Sequence, residues 1–291
     1  MKGTGIAIIT PFSSDLSVDF TSLEKLVEYT ISGGVDFIVA LGTTAETTTL
    51  TKAEQIQVVD TIKRVNQGRV PLVQGLGGNN TQAVLNELKE QNWDGIDGIL
   101  SVSPYYNKPS QKGIREHFMA IDAASPKPII LYNVPSRTGS NVLAETCIEI
   151  AKSSKNIVAV KEASGDLGQC MEVLMDKPSE FTVLSGEDNL TIPMMHMGAE
   201  GVISVSAQAY PQLFKQVMQA FKNGNPAKAN EIHYALYQQT NNLFAEGNPA
   251  GIKALLKIKG VIESDAVRLP LVAASDELTA KLRAEDDKIM A

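Results

Sequence analysis

The sequence is poor in the residues that form disulfides and bind metals. Its 291 residues include two cysteines, Cys147 and Cys170, without CxxC spacing, and three histidines that are scattered along the chain. Disulfide frameworks and zinc sites need closely spaced sets of these residues. The GLGG run at 75–78 lacks the full dinucleotide-binding spacing. We therefore expect reduced cysteines and no metal, nucleotide or prosthetic group.

The sequence also lacks an excess of positive charge and any long apolar run. Its formal net charge is −7, whereas nucleic acids and anionic membranes select positively charged surfaces. No apolar stretch approaches the about 20 residues that span a bilayer, and the first residues, MKGTGIAIITPF, do not have the pattern of a signal peptide. We therefore predict a cytoplasmic protein without a nucleic-acid or membrane partner.

What the sequence does contain is a series of eight short apolar runs with amphipathic stretches between them. Such runs are typical of parallel strands that helices cover on both faces. Eight repeats favour an α/β fold of the (β/α)8 TIM-barrel type, and a doubly wound sheet is the alternative. The runs lie at residues 5–12, 35–44, 71–78, 95–106, 128–135, 156–164, 181–188 and 198–207.

Helical patterns continue after the eighth run. The stretch from Pro211 to Phe221 predicts the last helix of the barrel, and about seventy residues follow it. We predict a catalytic barrel over 1–223 and a small C-terminal helical extension over 224–291. The helices predicted in the extension lie at 226–245, 249–260 and 275–290.

Polar and reactive residues stand where several of these runs end. The active site of a TIM barrel lies at the C-terminal ends of its strands, so these residues are the first candidates for chemistry. They are Thr43, Thr44, Tyr105, Tyr106, Tyr132, Lys161, Gly186 and Ile203.

Lys161 closes the otherwise apolar run IVAVK. A lysine at a strand end often extends to solvent, but an amine held away from water favours its neutral form and can attack a ketone. With a 2-keto acid the product is a protonated imine, which acidifies the neighbouring methyl group and gives an enamine nucleophile. Tyr132 ends the preceding run and could relay protons, or it could be a buried tyrosine with a satisfied hydroxyl.

Two further segments could hold carboxylates. The GTTAETTT segment at 42–49 leads into a helix for which Thr51 and Glu54 form a capping box. Its hydroxyls and N–H groups could bind a carboxylate, or it could be a threonine-rich turn. Arg137 follows a proline in VPSRTG and could clamp a second carboxylate or bridge a surface acid.

These motifs resemble those of the dihydrodipicolinate synthase family, within the N-acetylneuraminate lyase superfamily, over essentially the whole chain. The resemblance implies a lyase that condenses pyruvate with L-aspartate 4-semialdehyde in lysine and diaminopimelate biosynthesis. It also implies a homotetramer built as a dimer of dimers. The motifs are GTTAE (42–46), PYYNKPSQ (104–111), LYNVPSRTG (131–139), VKEASGD (160–166), LSGED (184–188) and GVISV (201–205).

The resemblance also implies roles for individual residues. Lys161 would form the Schiff base with pyruvate, and Tyr132, Thr43 and Tyr106 would form a proton relay, with Tyr106 inserted from the adjoining subunit. Thr43 and Thr44 would bind the carboxylate of pyruvate, helped by the region of Gly186 and the carbonyl of Ile203. Arg137 would bind the carboxylate of the aldehyde.

The sequence departs from the family pattern in two places. Ala45 stands where the family usually has glycine, and a methyl group makes a positive φ costly. Family members that lysine inhibits carry an acid and imidazoles near their counterparts of Asn79 and Tyr105. This chain has Ala83, Gln55 and Lys52 instead, so we expect weak or no inhibition by lysine.

Two other functions remain open at this stage. Another class I pyruvate aldolase, such as N-acetylneuraminate lyase or a 2-keto-3-deoxy-sugar-acid aldolase, would share Lys161 and Tyr132. Arg137 and Thr44 favour the synthase over these enzymes. A non-catalytic barrel that binds a keto acid is the third possibility, but binding alone needs no amine at a strand end.

Overall fold

All eight apolar runs form strands, and each strand is shorter than the run that predicts it. The computed structural model describes residues 1–291. The shorter strands arise because apolar residues beyond the strand ends, such as Ile8, Ile9 and Val205, are also buried. The strands are β1 (Gly3–Ala7), β2 (Phe37–Ala40), β3 (Leu72–Gly75), β4 (Gly98–Val102), β5 (Ile129–Asn133), β6 (Ile157–Glu162), β7 (Thr182–Ser185) and β8 (Gly201–Ser204).

The strands pair in sequence order. The pairs β1–β2 and β3–β4 through β7–β8 are parallel, and the order β1-β2-β3-β4-β5-β6-β7-β8 is that of a closed barrel. The predicted (β/α)8 fold class is therefore confirmed, and the doubly wound alternative is wrong.

Twelve helices accompany the strands. The three helices predicted after residue 223 are confirmed to within one or two residues at each end. No helix of the chain is both long enough and apolar enough to cross a membrane. The helices are α1 (Phe20–Gly33), α2 (Lys52–Asn66), α3 (Thr81–Glu90), α4 (Gln111–Ala124), α5 (Pro135–Thr138), α6 (Ala144–Ser153), α7 (Leu167–Asp176), α8 (Thr191–Met197), α9 (Pro211–Lys222), α10 (Pro226–Phe244), α11 (Ala250–Ile258) and α12 (Asp276–Met290).

The chain divides into two compact units. The central unit comprises Met1–Lys2 and Pro71–Ile203, and the terminal unit comprises Gly3–Val70 and Ser204–Ala291. The candidate catalytic lysine and tyrosines therefore belong to the central unit. The threonines of the GTTAE segment belong to the terminal unit, together with the three C-terminal helices.

In the central unit, a buried aspartate fixes the start of β6. The carboxylate of Asp122, near the end of α4, accepts hydrogen bonds from the backbone N–H groups of Lys155, Asn156 and Ile157 at 2.6–3.2 Å. The Asn156 side chain returns a hydrogen bond to the Asp122 carbonyl at 2.8 Å. These bonds satisfy N–H groups that precede the sheet and hold β6 in place along its axis.

The two cysteines are buried in helices of the central unit. Cys147 lies in α6 and Cys170 in α7, and both thiols are free. Burial raises the pKa of Cys170 to about 12 and that of Cys147 further, and the nearby carboxylate of Glu162 adds to both shifts. Both cysteines are therefore thiols in the structure, as the sequence predicts.

In the terminal unit, α12 is held by a largely buried polar cluster. The hydroxyl of Tyr210 and the ammonium of Lys259 both donate to Asp286, at 2.7 and 2.8 Å. Gln239 in α10 donates to the Tyr210 hydroxyl at 3.0 Å and to the carbonyl of Leu282 at 2.9 Å. The C-terminal helices thus pack as one body through specific hydrogen bonds as well as apolar contacts.

His117 gives the central unit a pH-dependent stability. Burial lowers its pKa to about 4, and only one of its ring nitrogens has a partner, the hydroxyl of Thr81 at 2.8 Å. Below about pH 6.5, His117 binds a proton in the unfolded chain but stays neutral in the folded chain. The free energy of unfolding therefore falls as the pH falls. We expect His117 to account for up to about 3 kcal/mol of this loss between about pH 6.5 and pH 4.

Urea unfolding of the wild type and His117→Asn across this range measures the effect. The variant should lose less stability than the wild type on acidification, because the asparagine does not titrate. Gln82→Asn, an exposed substitution without a titrating group, should follow the wild-type slope. Parallel curves for the wild type and His117→Asn would contradict the assignment.

Candidate active site

Lys161 and Tyr132 stand side by side on neighbouring strands. The register of β5 and β6 places Tyr132 opposite Lys161, so their side chains leave the sheet on the same face. The Nζ of Lys161 lies 4.3 Å from the centre of the Tyr132 ring, and each residue is 6% exposed. Neither the Lys161 amine nor the Tyr132 hydroxyl makes a hydrogen bond or ion pair within the chain. Both groups are therefore available to a substrate.

Gly186 lies against the stem of this lysine. It follows β7 directly, and its N–H donates to the carbonyl of Glu162 at 2.7 Å. A Cβ at this position would stand 3.1 Å from Cε of Lys161 and 2.5 Å from Cβ of Ala163. Only glycine fits here, because any side chain would displace the lysine or the neighbouring strand end. The stem of Lys161 thus restricts this position to glycine, and the role of the Gly186 region in binding a substrate stays a prediction.

Glu162 follows Lys161 in sequence but points to the other face of β6. Its carboxylate accepts hydrogen bonds from the side chains of Asn133 and Gln169 and from the N–H of Ser164, at 2.7–3.2 Å. The amide of Asn133 in turn accepts the N–H of Val142 at 3.0 Å. The carboxylate is satisfied entirely by neutral donors, so it does not pair with the lysine beside it. The sequence analysis did not single out this acid.

Arg137 lies in the short helix α5, which is separated from β5 by the single residue Val134. Its side chain is exposed. Burial and the neighbouring Asp188 raise the pKa of Glu187, and the positive charges of Lys161 and Arg137 oppose that shift. Arg137 and Lys161 therefore both act electrostatically on one carboxyl group. The predicted aldehyde-binding arginine and the amine of Lys161 therefore both lie within electrostatic range of Glu187.

Tyr106 projects away from the chain. Its side chain is 87% exposed, and its φ of 73° lies in the left-handed region, which non-glycine residues seldom adopt. The segment before it is held by Asn79, whose side chain donates to the carbonyl of Tyr105 at 3.1 Å. Within the single chain, the Tyr106 side chain is thus exposed, whereas those of Lys161 and Tyr132 are buried. Ile203, the remaining candidate of the central unit, is buried in β8.

In the terminal unit, Thr43 and Thr44 open a single helical turn, Thr43–Ala45, after β2. Their N–H groups have no partner within that turn, because the first N–H groups of any helix lack one. Thr43 is exposed and Thr44 is buried. The side-chain amide of Asn248 donates to Oγ1 of Thr44 at 2.9 Å.

A buried ion pair follows these threonines. Glu46 has a φ of 53°, so the left-handed residue of the loop is Glu46. The sequence analysis expected the cost of a positive φ at Ala45. Oε1 of Glu46 lies 2.5 Å from Nζ of Lys253 in α11, and both side chains are fully buried. Lys253 also donates to the carbonyl of Ala266 at 2.9 Å, and the N–H of Arg268 donates to Oε2 of Glu46 at 2.8 Å.

Arg268 extends these contacts from the buried ion pair to the surface. Its guanidinium binds both carboxylate oxygens of Glu54 at 2.5 and 3.0 Å and lowers the pKa of that carboxyl to about 2. The guanidinium and the Lys253 ammonium both lie over the ring of Phe12, at 4.4 and 4.1 Å from its centre. The capping box that Thr51 and Glu54 predict for α2 is confirmed.

The chain matches the family described as the dihydrodipicolinate synthetase family over residues 1–287. The chain belongs to this family. A 4-hydroxy-tetrahydrodipicolinate synthase from Flavobacterium psychrophilum is 47% identical over 280 residues, which cover 96% of this chain and 95% of that protein. The lyase class and the synthase function that the sequence predicts are thereby confirmed, and the aldolase and binding-barrel alternatives receive no support.

Solved structures of the family match the chain over nearly its whole length. A dihydrodipicolinate synthase from Thermotoga maritima superposes with a TM-score of 0.96 at 37% identity, over 99% of this chain and 98% of that chain. One from Acinetobacter baumannii, solved in complex with pyruvate, has a TM-score of 0.95 at 36% identity and covers 99% of both chains. The match spans the site residues of both units.

The Glu46–Lys253 pair predicts a large loss of stability when one partner is removed. Lys253→Met leaves the Glu46 carboxylate buried without a cation, which costs about 3–5 kcal/mol in comparable pairs. Adding Glu46→Gln removes the unpaired charge and should restore most of that loss. Urea unfolding monitored by circular dichroism measures the difference. Lys25→Met, which removes an exposed ion pair, should unfold near the wild-type midpoint. A Lys253→Met variant that did the same would contradict the prediction.

Proposed function

We propose that the chain condenses pyruvate with L-aspartate 4-semialdehyde through a Schiff base on Lys161. The observation that carries this proposal is the state of the Lys161 side chain. It is buried at the end of β6 and lies over the ring of Tyr132. No hydrogen bond or ion pair holds its Nζ, which is therefore free to approach the keto carbon of a substrate.

The first half of the reaction activates pyruvate. The amine adds to the keto carbon, and loss of water gives an imine that is protonated on nitrogen. The positive charge withdraws electrons from the methyl group, which loses a proton and leaves an enamine. A hydroxyl group suits these transfers, because it can move a proton without adding a charge beside the imine. These transfers are assigned to the hydroxyl of Tyr132, whose ring centre lies 4.3 Å from Nζ of Lys161.

The second half forms the new carbon–carbon bond. The enamine carbon attacks the aldehyde carbon of the semialdehyde and restores the protonated imine. The amino group of the former semialdehyde then attacks the imine carbon, which closes the ring and releases Lys161. Proton transfers at the new hydroxyl and at the leaving lysine nitrogen are assigned to the relay of Tyr132, Thr43 and Tyr106.

The assignment of Tyr106 to the relay requires a second copy of the chain. The Tyr106 side chain is 87% exposed, and its backbone lies in the left-handed region. It buries little surface within its own chain and can insert into a neighbouring subunit. Positive φ values at non-glycine residues cluster where function maintains them. We therefore propose that Tyr106 completes the relay of the adjoining subunit in a homotetramer built as a dimer of dimers.

The carboxylates of the two substrates are assigned to different groups. The hydroxyls and N–H groups of Thr43 and Thr44 would bind the carboxylate of pyruvate, with help from the Gly186 region and the Ile203 carbonyl. Arg137 would bind the carboxylate of the semialdehyde, because its guanidinium is exposed and can donate two parallel hydrogen bonds. Pyruvate is the compound bound in the synthase from Acinetobacter baumannii.

Three further assignments complete the proposal. The protein would act in the cytoplasm and use no cofactor. The barrel domain would end at residue 223, and residues 224–291 would form the helical extension. Lysine would inhibit the enzyme weakly or not at all, because Ala83 provides no carboxylate for its ammonium group.

Trapping with borohydride tests the Schiff base directly. Treatment with pyruvate and borohydride should reduce the imine to a stable adduct on Lys161, which peptide mass spectrometry locates. Lys161→Ala should form no adduct and lose several orders of magnitude in kcat, because the covalent route is gone. Lys253→Arg, which keeps the charge of the other buried lysine, serves as a control and should still give the Lys161 adduct. A folded wild type that gave none would refute the proposal.

Arg137→Ala should separate the two substrates kinetically. Removing the guanidinium should raise the apparent KM for the semialdehyde by about tenfold or more, because a charge-assisted bidentate contact is lost. The half-saturation of borohydride trapping by pyruvate should stay within about twofold of the wild type, since that step precedes aldehyde binding. Arg115→Ala, which removes a half-buried arginine that pairs with Glu116 and Glu149, is the control. An effect confined to pyruvate would contradict the role of Arg137.

A further inference from the structure

We propose that Asn248 is a positioning residue for pyruvate, acting through the hydroxyl of Thr44. Asn248 lies between α10 and α11, far from the catalytic strands in sequence. The inference rests on the proposed role of Thr44 in binding the keto-acid carboxylate. It adds that the direction in which this hydroxyl donates is set by the C-terminal helical region.

The geometry of the Thr44 hydroxyl carries the argument. Its Oγ1 accepts the Asn248 amide at 2.9 Å and makes no other hydrogen bond. A hydroxyl has one hydrogen to donate and two lone pairs to accept with. Because the amide hydrogen occupies one lone pair, the hydrogen of Thr44 must point away from Asn248. It is then free to donate to an anion, which accepts but cannot donate.

The orientation of the Asn248 amide follows from burial. Asn248 is 9% exposed, and its Oδ1 is buried without a partner. In the reverse orientation Oδ1 would accept the Thr44 hydrogen, and the two N–H bonds of Nδ2 would lack this acceptor. Buried N–H groups are left unpaired less often than buried carbonyl oxygens. The donating orientation is therefore favoured, and it is the one that leaves Thr44 free to bind a carboxylate.

The surrounding contacts make this orientation rigid. Oγ1 of Thr10 donates to the carbonyl of Ala45 at 2.8 Å, and Oγ1 of Thr47 donates to the carbonyl of Gly42 at 3.0 Å. The ion pair of Glu46 with Lys253 joins the same loop to α11, five residues beyond Asn248. The loop and the amide are thus held by one set of buried contacts, so Thr44 cannot easily turn to follow a displaced partner.

A double-mutant cycle tests the proposal, with the initial rate of borohydride trapping measured against pyruvate concentration. Asn248→Ala should raise the half-saturating pyruvate concentration about tenfold, because the hydroxyl loses its fixed direction. Saturating kcat should change by less than about threefold, since the amine and the relay are intact. Thr44→Val should raise the half-saturation at least as much. Asn248→Ala added to Thr44→Val should raise it by less than about twofold further, because the group through which Asn248 acts is absent.

Two more variants define the effect. Asn248→Asp keeps the shape of the side chain but offers a carboxylate, which would accept the Thr44 hydrogen and repel the substrate. It should weaken pyruvate binding more than Asn248→Ala does, and it remains informative if the alanine variant fails to fold. Asn242→Ala, in the same helical region, removes a side chain that accepts a hydrogen bond from the exposed Gln238 and should leave the half-saturation unchanged.

The outcomes separate this inference from the function on which it rests. Wild-type half-saturation in folded Asn248→Ala or Asn248→Asp would overturn the positioning role alone. If the fold-increases in half-saturation from Asn248→Ala and Thr44→Val multiplied in the double variant, the positioning role would also be overturned, since the two residues would then act independently. A wild type that traps no pyruvate on Lys161 would overturn the proposed function, and this inference with it.

Discussion

The register between β5 and β6 is the constraint on which the chemistry of the central unit depends. It sets Tyr132 opposite Lys161 and Asn133 opposite Glu162. Because side chains alternate along a strand, one register places the tyrosine and the amine together on one face and an acid with its amide donor on the other. A slip of one residue would exchange the two sets. The bonds from Asp122 at the start of β6 and the bonds to Glu162 at its end both oppose such a slip.

The positions of Lys161 and Glu162 on opposite faces of β6 explain why the buried amine of Lys161 forms no ion pair with the adjacent acid. An ion pair between them would stabilise the ammonium and remove the nucleophile. The strand separates them instead, and the carboxylate is satisfied by amide and backbone N–H groups. A second buried lysine is stabilised by an ion pair instead. Lys253 pairs directly with Glu46 and contributes to the structure of the loop, where a free amine has no role.

Local patterns in the sequence were sufficient to predict the fold, whereas the roles of the site residues stay predictions. Apolar runs mark the strands, and reactive residues such as Lys161 stand at their ends. The contacts of Glu46 and Thr44 could not be found in this way, since their partners lie 207 and 204 residues away. Lys253 in AGIKALLKIKG has the spacing of an ordinary helical lysine, and only tertiary packing reveals that it is buried. The left-handed residue of the GTTAE segment was misplaced by one position, because the helical turn Thr43–Ala45 ends before the chain reverses.

The environment of the two cysteines has a practical consequence for labelling. A thiol reacts with alkylating and oxidising reagents mainly as its thiolate, and both thiols are buried beside a carboxylate that disfavours ionisation. We therefore expect both native thiols to react slowly with maleimide reagents at neutral pH while the chain is folded. A cysteine introduced on an exposed helix could carry a fluorophore or spin label without first removing Cys147 or Cys170. The native sequence is already a background for site-specific spectroscopy.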